Sequence, residues 1–255
     1  MPCFKAEHTL DWAVKAILAQ DFQQWELLLL VDGSPDNTLR LADQWAQSDA
    51  RIRLINSRHN RGVIRMRNLG IRLAKGNWIA FCDADDWWEM LKLSSQLHLA
   101  ESQQANLVCS AFYYVRGTEG KRLREVQLPA PITYPRMLTT NAVAMSTAMF
   151  NRQALGRQYF QSMPDGLIHE DYAFWLQMFR TKPVKAAYLS MPVANIRVQP
   201  GSRSANKWLA MRSHAYVLRE IAGLPYWKLS WHLLSYARHA LGKRLPRISA
   251  KLKAI

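Results

Sequence analysis

The first half of this chain alternates short apolar runs with helix-like segments, and this alternation limits how the chain can fold. Residues 27–31 and 78–82 are apolar runs typical of buried strands. Residues 38–48 and 63–74 have the spacing of helices. The pattern predicts an α/β fold with a largely parallel sheet flanked by helices. In such sheets ligands bind beyond the carboxyl ends of the strands.

The remaining elements suggest two halves and a tail. Further strands are predicted at residues 52–55, 107–115, 145–150 and 184–189, and further helices at residues 10–18, 90–102 and 171–180. A proline-rich stretch at residues 129–135 interrupts the regular pattern. We therefore expect a catalytic domain over residues 1–204, with a nucleotide-binding half to about residue 115 and an acceptor half from about residue 116. Residues 205–255 are predicted to form a basic helical tail.

The composition is that of a globular protein with an unusual charge. Of the 255 residues, 49% are hydrophobic and 21% are charged, which excludes a disordered chain. Three scattered cysteines do not form a disulfide framework or a zinc motif, so a reducing, cytoplasmic compartment is expected. No apolar run is long enough to span a membrane. The formal net charge of +15 nevertheless indicates an anionic partner.

Two acidic loops follow two of the predicted strands. Asp32 comes directly after residues 27–31, and Asp83, Asp85 and Asp86 follow residues 78–82. Three crowded carboxylates repel one another unless a cation neutralises them, and Mg²⁺ or Mn²⁺ suits such oxygen ligands. The alternative is a solvated turn that caps the next helix.

Several motifs resemble the signature of the family 2 glycosyltransferases, which have the GT-A fold. They are, in chain order, WEL and DGSPDNT within residues 25–38, and NRG, RNLGI, AKGNWIAF and DADDW within residues 60–87. Residues 2–4 (PCF) resemble the end of the family's first strand, and residues 170–172 (EDY) resemble its acceptor-side acidic motif. The resemblance extends from residue 2 to about residue 204.

The resemblance implies roles for particular residues. Asp83 would face the nucleoside and Asp85 would bind the Mn²⁺ or Mg²⁺ that bridges the diphosphate, with Asp83 as a further ligand. Asp171 would be the general base, although Glu170 and Asp171 suit the simpler role of helix caps. The implied nucleotide-sugar site comprises Pro2, Phe4, Asp32, Arg67, Asp83 and Arg197. The alternative interpretation of Arg67 is an exposed arginine on a helix, and that of Arg197 is a residue in a surface turn.

Four departures from the family pattern stand out. Val31 and Lys5 occupy positions where an acidic residue and Asn, respectively, are usual, and Gln199 stands where His is common. Only Met1 precedes the segment that resembles the end of the first strand. We expect either an upstream start or an incomplete strand.

The resemblance implies an inverting glycosyltransferase of bacterial lipopolysaccharide or exopolysaccharide synthesis. The donor would be a nucleotide-diphosphate sugar, with a UDP-sugar expected, and the acceptor a hydroxyl of a glycan or lipid-linked glycan. One alternative is a sugar-nucleotide nucleotidyltransferase, but the chain lacks the glycine-rich, basic phosphate loop usual there. Another is a non-enzymatic basic protein that binds membrane or nucleic acid. Nucleic acid is not expected, because the acidic loop would repel its phosphates.

The tail has the pattern of a basic amphipathic helix. Residues 223–255 contain seven Lys or Arg and no Asp or Glu. Apolar residues at helical spacing accompany these cations, namely Trp227, Trp231, Leu234, Leu241 and Leu245. Such a helix either packs on the catalytic domain or binds an anionic membrane surface. We favour the membrane, with the protein peripheral at its inner face.

Overall fold

A computed structural model describes residues 1–117, 120–198 and 206–232 as two β-sheets with helices on their faces. The strands are β1 (Pro2–Cys3), β2 (Leu27–Asp32), β3 (Ile52–Ser57), β4 (Trp78–Ala80), β5 (Trp87–Trp88), β6 (Leu107–Arg116), β7 (Lys121–Val126), β8 (Met149–Asn151) and β9 (Ala186–Arg197). The α-helices are α1 (Leu10–Leu18), α2 (Thr38–Ser48), α3 (Val63–Leu73), α4 (Lys92–Ser102), α5 (Tyr134–Met137), α6 (Arg152–Leu155), α7 (Glu170–Thr181) and α8 (Lys207–Tyr216). There are also a 3₁₀ helix at Met145–Thr147, a π-helix at Val217–Ile221 and a helical segment at residues 226–232.

The first sheet is parallel and has the order β1-β2-β3. All six residues of β2 are buried, as expected of a strand covered on both faces. Strand β2 pairs with β3 along its whole length but with β1 over only two residues. One edge of its first half therefore has no strand beside it among the described residues.

The second sheet is mixed and has the order β4-β8-β6-β9-β5, with β7 paired to β6. Strands β6 and β9 run parallel, whereas the other pairs of this sheet are antiparallel. The predicted α/β class with helices flanking the sheets is confirmed, although the second sheet is mixed. Parallel pairing prevails in the first sheet and antiparallel pairing in the second.

A cleft of about 910 Å³ separates β2 of the first sheet from β4 of the second. Its walls include Leu28 and Leu30 of β2 and Ile79 of β4, and α3 and α4 contribute Ile71 and Leu97. At one end the amino nitrogen of Met1 donates a hydrogen bond to the carbonyl of Leu28 at 2.9 Å. Among the described residues the two sheets share no strand.

The predicted elements agree with the structure except at a few boundaries. Residues 145–150 were predicted as one strand, but the segment begins as a 3₁₀ helix and only its end joins β8. Strand β9 extends to Arg197 and is longer than the predicted strand at 184–189. The proline within β9, Pro192, obscured that continuity in the sequence.

The first part of the predicted tail packs into the core of the protein. Val217, Leu218 and Ile221 are buried among residues of the second sheet and α7. His214 of α8 stacks on Tyr172 of α7 with ring centroids 4.8 Å apart. The predicted tail residues from Leu234 onward lie outside the described part of the chain. Within the described ranges, no helix is both long and apolar enough to cross a membrane.

Candidate active site

Asp86 holds the acidic loop that follows β4 in place through hydrogen bonds of its buried side chain. The Asp86 side chain is buried, and its two carboxylate oxygens accept hydrogen bonds from the Ser146 hydroxyl and from the backbone N–H of Arg197. Burial raises the pKa of Asp86 well above its usual value, and the charges of Asp85 and Asp83 raise it further. Asp86 is thus a structural member of the loop.

Arg197 closes over the acidic loop from the end of β9. Its backbone N–H binds Asp86, and its Nε donates to the carbonyl of Asp85 at 3.0 Å. The guanidinium lies over the ring of Trp87, 5.2 Å from the centroid. The end of β9 and the acidic loop, which are distant in sequence, are therefore held together. The positive charge of Arg197 lies beside the carboxylates of the loop.

Arg67 joins the two acidic motifs. Its side chain is only 6% exposed, and it donates to Asp83 at 2.7 Å and to Glu170 at 3.2 Å. Burial alone would lower the pKa of Arg67, but the pKa is raised because Asp83 and Glu170 favour the charged form. The alternative of an exposed helical arginine is therefore wrong.

Asp171 lies at the start of α7, next to Glu170. Its Oδ2 accepts a hydrogen bond from the Asn141 side chain at 3.0 Å, and its Oδ1 accepts one from the Tyr172 N–H. Burial raises the pKa of Asp171, and the neighbouring Glu170 charge raises it further. A carboxylate with a raised pKa, held by an amide, has the properties of a general base.

Asp32 lies at the end of β2 and orders the loop before α3. Its Oδ1 and Oδ2 accept the backbone N–H groups of Arg61 and Gly62 at 2.7 and 2.8 Å. Gly62 has φ +86, a conformation that glycine adopts without strain. Val31, where the family usually has an acid, is fully buried in the apolar core.

The segment after β1 supports the loop that follows β2. The Lys5 N–H donates to the Ser34 hydroxyl and the Ala6 N–H donates to the Thr38 hydroxyl, each at 2.8 Å. Pro2 pairs with β2, and the Phe4 side chain is 44% exposed beside these loops. An exposed aromatic ring at a strand end can stack on a base.

The structure connects the two acidic loops through α3. The N-terminal end of this helix binds Asp32, and Arg67 in its second turn binds Asp83. Asp83, Glu170, Asp171 and Arg197 thus belong to one connected group, whereas Asp32, Pro2 and Phe4 lie at the first sheet. Gln199 lies outside the described residues.

Asp83 and Asp85 are the residues of the acidic loop to consider as ligands of a divalent cation. The described residues contain no group of three or more His, Cys, Asp or Glu side chains able to hold a metal. Mg²⁺ and Mn²⁺ sites often use only one or two carboxylates together with substrate phosphates. The half-buried Asp85 and Asp83 are the side chains that could supply them.

Sequence reasoning missed three participants in this site. Ser146 holds Asp86, Asn141 holds Asp171, and Glu170 pairs with Arg67. The sequence placed Glu170 in the acceptor-side acidic motif and as a possible helix cap, but gave no sign of its pairing with Arg67. Ser146 and Asn141 are polar residues in irregular stretches, and no sequence pattern connects them with acids 60 and 30 positions away.

Comparison with known proteins establishes the family. Residues 1–160 match the family described as "Glycosyl transferase family 2". This match covers more than half of the chain, so the protein belongs to glycosyltransferase family 2 and is a glycosyltransferase. The two alternatives, a nucleotidyltransferase and a non-enzymatic binding protein, are thereby excluded.

Two bacterial relatives match nearly the whole chain. A protein of Bacillus subtilis (strain 168) named "Putative teichuronic acid biosynthesis glycosyltransferase TuaG" is 29% identical, with 96% of this chain and 95% of that protein covered. An Escherichia coli protein, "UDP-Glc:alpha-D-GlcNAc-diphosphoundecaprenol beta-1,3-glucosyltransferase WfgD", is 27% identical, with 94% and 93% covered.

Solved structures confirm the GT-A fold. Staphylococcus aureus TarS 1-349 in complex with UDP-GlcNAc has a TM-score of 0.69 at 17% identity and covers 94% of this chain and 71% of that chain. The mannosyltransferase PcManGT from Pyrobaculum calidifontis, in complex with GDP-Man and Mn²⁺, has a TM-score of 0.65 at 16% identity, with 96% and 74% covered. At these identities the likeness shows the fold alone.

The backbone of Lys5 generates a stability prediction. Lys5 has φ +51, a left-handed conformation that Asn tolerates better than Lys. We expect Lys5→Asn to raise the free energy of unfolding by about 0.5–1 kcal/mol, measured by urea denaturation. Lys5→Ala removes the same charge but lacks the short polar side chain that lets Asn hydrogen-bond locally in this conformation, so it should show no gain. Equal stabilisation by both variants would contradict the explanation from backbone strain.

Proposed function

We propose that this protein is an inverting glycosyltransferase of cell-surface polysaccharide synthesis. Its donor is a nucleotide-diphosphate sugar, with a UDP-sugar favoured, and its acceptor is a hydroxyl of a lipid-linked glycan. The names of the two bacterial relatives support this acceptor class and this pathway. A bound UDP-sugar in the TarS complex and the UDP-Glc in the name of WfgD support the donor.

The main structural support for the proposal is that the buried Arg67 pairs with both acidic motifs. Arg67 contacts Asp83 on the donor side and Glu170, next to Asp171, on the acceptor side. A displacement at the anomeric carbon requires the leaving diphosphate and the attacking hydroxyl to lie on opposite sides of one centre. The Arg67 bridge fixes the relative positions of the groups proposed to serve these two sides.

The donor side consists of the acidic loop and the ends of the first two strands. Asp85, with Asp83, would hold Mn²⁺ or Mg²⁺. A bound dication offsets the negative charge that develops on the departing diphosphate. Arg197 lies beside the same loop and adds a positive charge for the diphosphate. Pro2, Phe4 and Asp32 border the nucleoside, with Asp32 acting mainly through the loop that it orders.

Asp171 is the general base in this proposal. It takes the proton from the acceptor hydroxyl as the hydroxyl oxygen attacks the anomeric carbon, so a single displacement inverts the configuration. The Asn141 side chain holds one carboxylate oxygen in place. The raised pKa brings the base nearer to neutral pH, where proton transfer is most effective.

The proposed division of the chain follows from this arrangement. Residues 1–204 form the catalytic domain, with the donor half to about residue 115 and the acceptor half beyond it. Residues 205–255 form a basic tail whose first helix is packed on the acceptor half through the contact of His214 with Tyr172. The described start of the tail is therefore part of the core.

We also infer that the tail binds an anionic membrane surface at the inner face of the cell membrane. Residues 226–232 are helical, and Leu229 packs on the core. Trp227 and Trp231, one helical turn apart, are 75% and 71% exposed. Their exposure argues against the alternative that they pack on the catalytic domain. Tryptophans beside cations such as Lys228 are typical of a membrane interface.

Asp85→Asn tests the metal assignment. An amide keeps the shape of the side chain but loses the charge that holds the dication, so transfer should fall by at least about a hundredfold. Titration calorimetry with UDP should show that Mn²⁺ no longer strengthens binding. Asp165→Asn, which changes an exposed carboxylate outside the acidic loop, is the matched control. Mn²⁺-dependent binding at wild-type strength in Asp85→Asn would refute the assignment.

Asp171→Asn tests the general base. Its kcat should fall by about two to four orders of magnitude while the KM for the donor stays close to wild type. Because the pKa is raised, wild-type kcat should decline as the pH falls through a value above 3.8, and this dependence should vanish in the variant. Steady-state kinetics across pH, with Asp165→Asn alongside, measure both effects. Loss of donor binding instead would count against the role.

Trp227→Ala tests the membrane surface. Liposomes containing anionic lipid should sediment wild type, and this binding should weaken with added salt because the cations contribute about 1 kcal/mol each. Trp227→Ala should sediment less, whereas Trp12→Ala, which removes an exposed tryptophan from α1, should behave like wild type. Equal sedimentation of the two variants, or binding to neutral liposomes alone, would overturn the inference.

A further inference from the structure

One buried hydroxyl lies directly beneath the acidic loop. Ser146 is 1% exposed, and its hydroxyl donates to Asp86 Oδ2 at 2.5 Å. The same oxygen accepts the backbone N–H of Asp83 at 3.2 Å. A single side chain thus contacts the first and the last residue of the loop that carries Asp85.

Side chains of α4 and β5 hold the backbone around Ser146 in place. The Trp88 indole N–H donates to the Ser146 carbonyl, and the Gln96 amide donates to the Thr147 carbonyl, each at 2.8 Å. Lys92 donates to the Gln96 Oε1 at 2.6 Å, which leaves the amide nitrogen of Gln96 to face Thr147. All of these side chains are buried, so the position of the Ser146 hydroxyl is fixed by a connected polar network.

We propose that Ser146 is a positioning residue for donor binding, because its hydroxyl sets the backbone of the 83–86 loop and so the direction of Asp85. The proposal rests on the function proposed above for this loop. Three neighbouring carboxylates repel one another, and a loop without a fixed point would relax away from the geometry that a cation needs. A loop that is already fixed in the binding geometry does not have to be ordered when the donor binds, so less of the binding free energy is lost.

The chemistry of the anchor suits this role. A lysine or arginine in the place of Ser146 would hold the loop but would also neutralise part of the charge that attracts the dication. A hydroxyl supplies one donor and one acceptor without any net charge. Ser146 can therefore order the loop without placing a further positive charge beside Asp83 and Asp85.

Hydrogen exchange followed by mass spectrometry tests the anchor without reference to activity. In Ser146→Ala, the Asp83 N–H loses its acceptor, so amides 83–86 should exchange about tenfold faster than in wild type. Ser110→Ala is the matched control, because Ser110 is another fully buried serine and its hydroxyl has no partner among the described residues. Its exchange at 83–86 should equal that of wild type. Ser146→Thr keeps the hydroxyl and should restore slow exchange.

Calorimetry with UDP and Mn²⁺ then links the anchor to donor binding. We expect the Kd for UDP in the presence of Mn²⁺ to rise about tenfold in Ser146→Ala and to stay unchanged in Ser110→Ala. In a double-mutant cycle with Asp86→Asn, the two losses of affinity should be less than additive, since Ser146 acts through Asp86. If Ser146→Ala does not fold, Ser146→Cys, with a similar size and a weaker donor, should show intermediate effects on both measurements.

The outcomes separate the anchor from the function of the site. Unchanged exchange at 83–86 in the folded Ser146→Ala or Ser146→Cys protein would overturn the proposal. Faster exchange with an unchanged Kd would also overturn it, because the hydroxyl would then be only structural. If wild type itself fails to bind UDP with Mn²⁺, the proposed function of the loop fails, and with it the proposed role of Ser146 in donor binding.

Discussion

The site depends on one buried guanidinium, that of Arg67. Removing such a charge from water costs several kcal/mol, and the cost is offset only when opposite charges lie close by. Asp83 and Glu170 supply these charges from elements that are 87 positions apart in the sequence. The pairing ties α3 to the acidic loop and to the start of α7. Loss of either partner would leave the buried guanidinium with a single ion pair, so the two ion pairs constrain three elements together.

Around this bridge, the acidic residues differ in burial and in the partners that hold them. Asp32 and Asp86 are buried, and both of their carboxylate oxygens accept hydrogen bonds from within the protein. Asp85 is half-buried and lies between the groups that hold the loop. Carboxylates that look equivalent in the sequence therefore differ in role because of their burial and their partners.

Much of the fold could be predicted from sequence because its signals are local. The buried run of β2, the spacing of α2 and the acids at the strand ends each depend on neighbouring residues. Prediction was less accurate where tertiary contacts override local pattern, as at Met145–Thr147, which turns as a 3₁₀ helix before β8. The site was predicted best where a motif combined charge with a strand end. Residues such as Asn141, which act only through a distant partner, gave no such signal.

The sequence by itself determined the α/β class, the family and the two acidic motifs, because hydrophobic periodicity and motif spacing are properties of contiguous residues. Only the tertiary structure decided that Arg67 is buried between Asp83 and Glu170, that Asp86 is an anchor, and that Ser146 holds it. These assignments depend on desolvation and on hydrogen bonds between residues far apart in the chain. A residue's environment arises only when the chain has folded, so its pKa and its partners cannot be read from its neighbours in sequence.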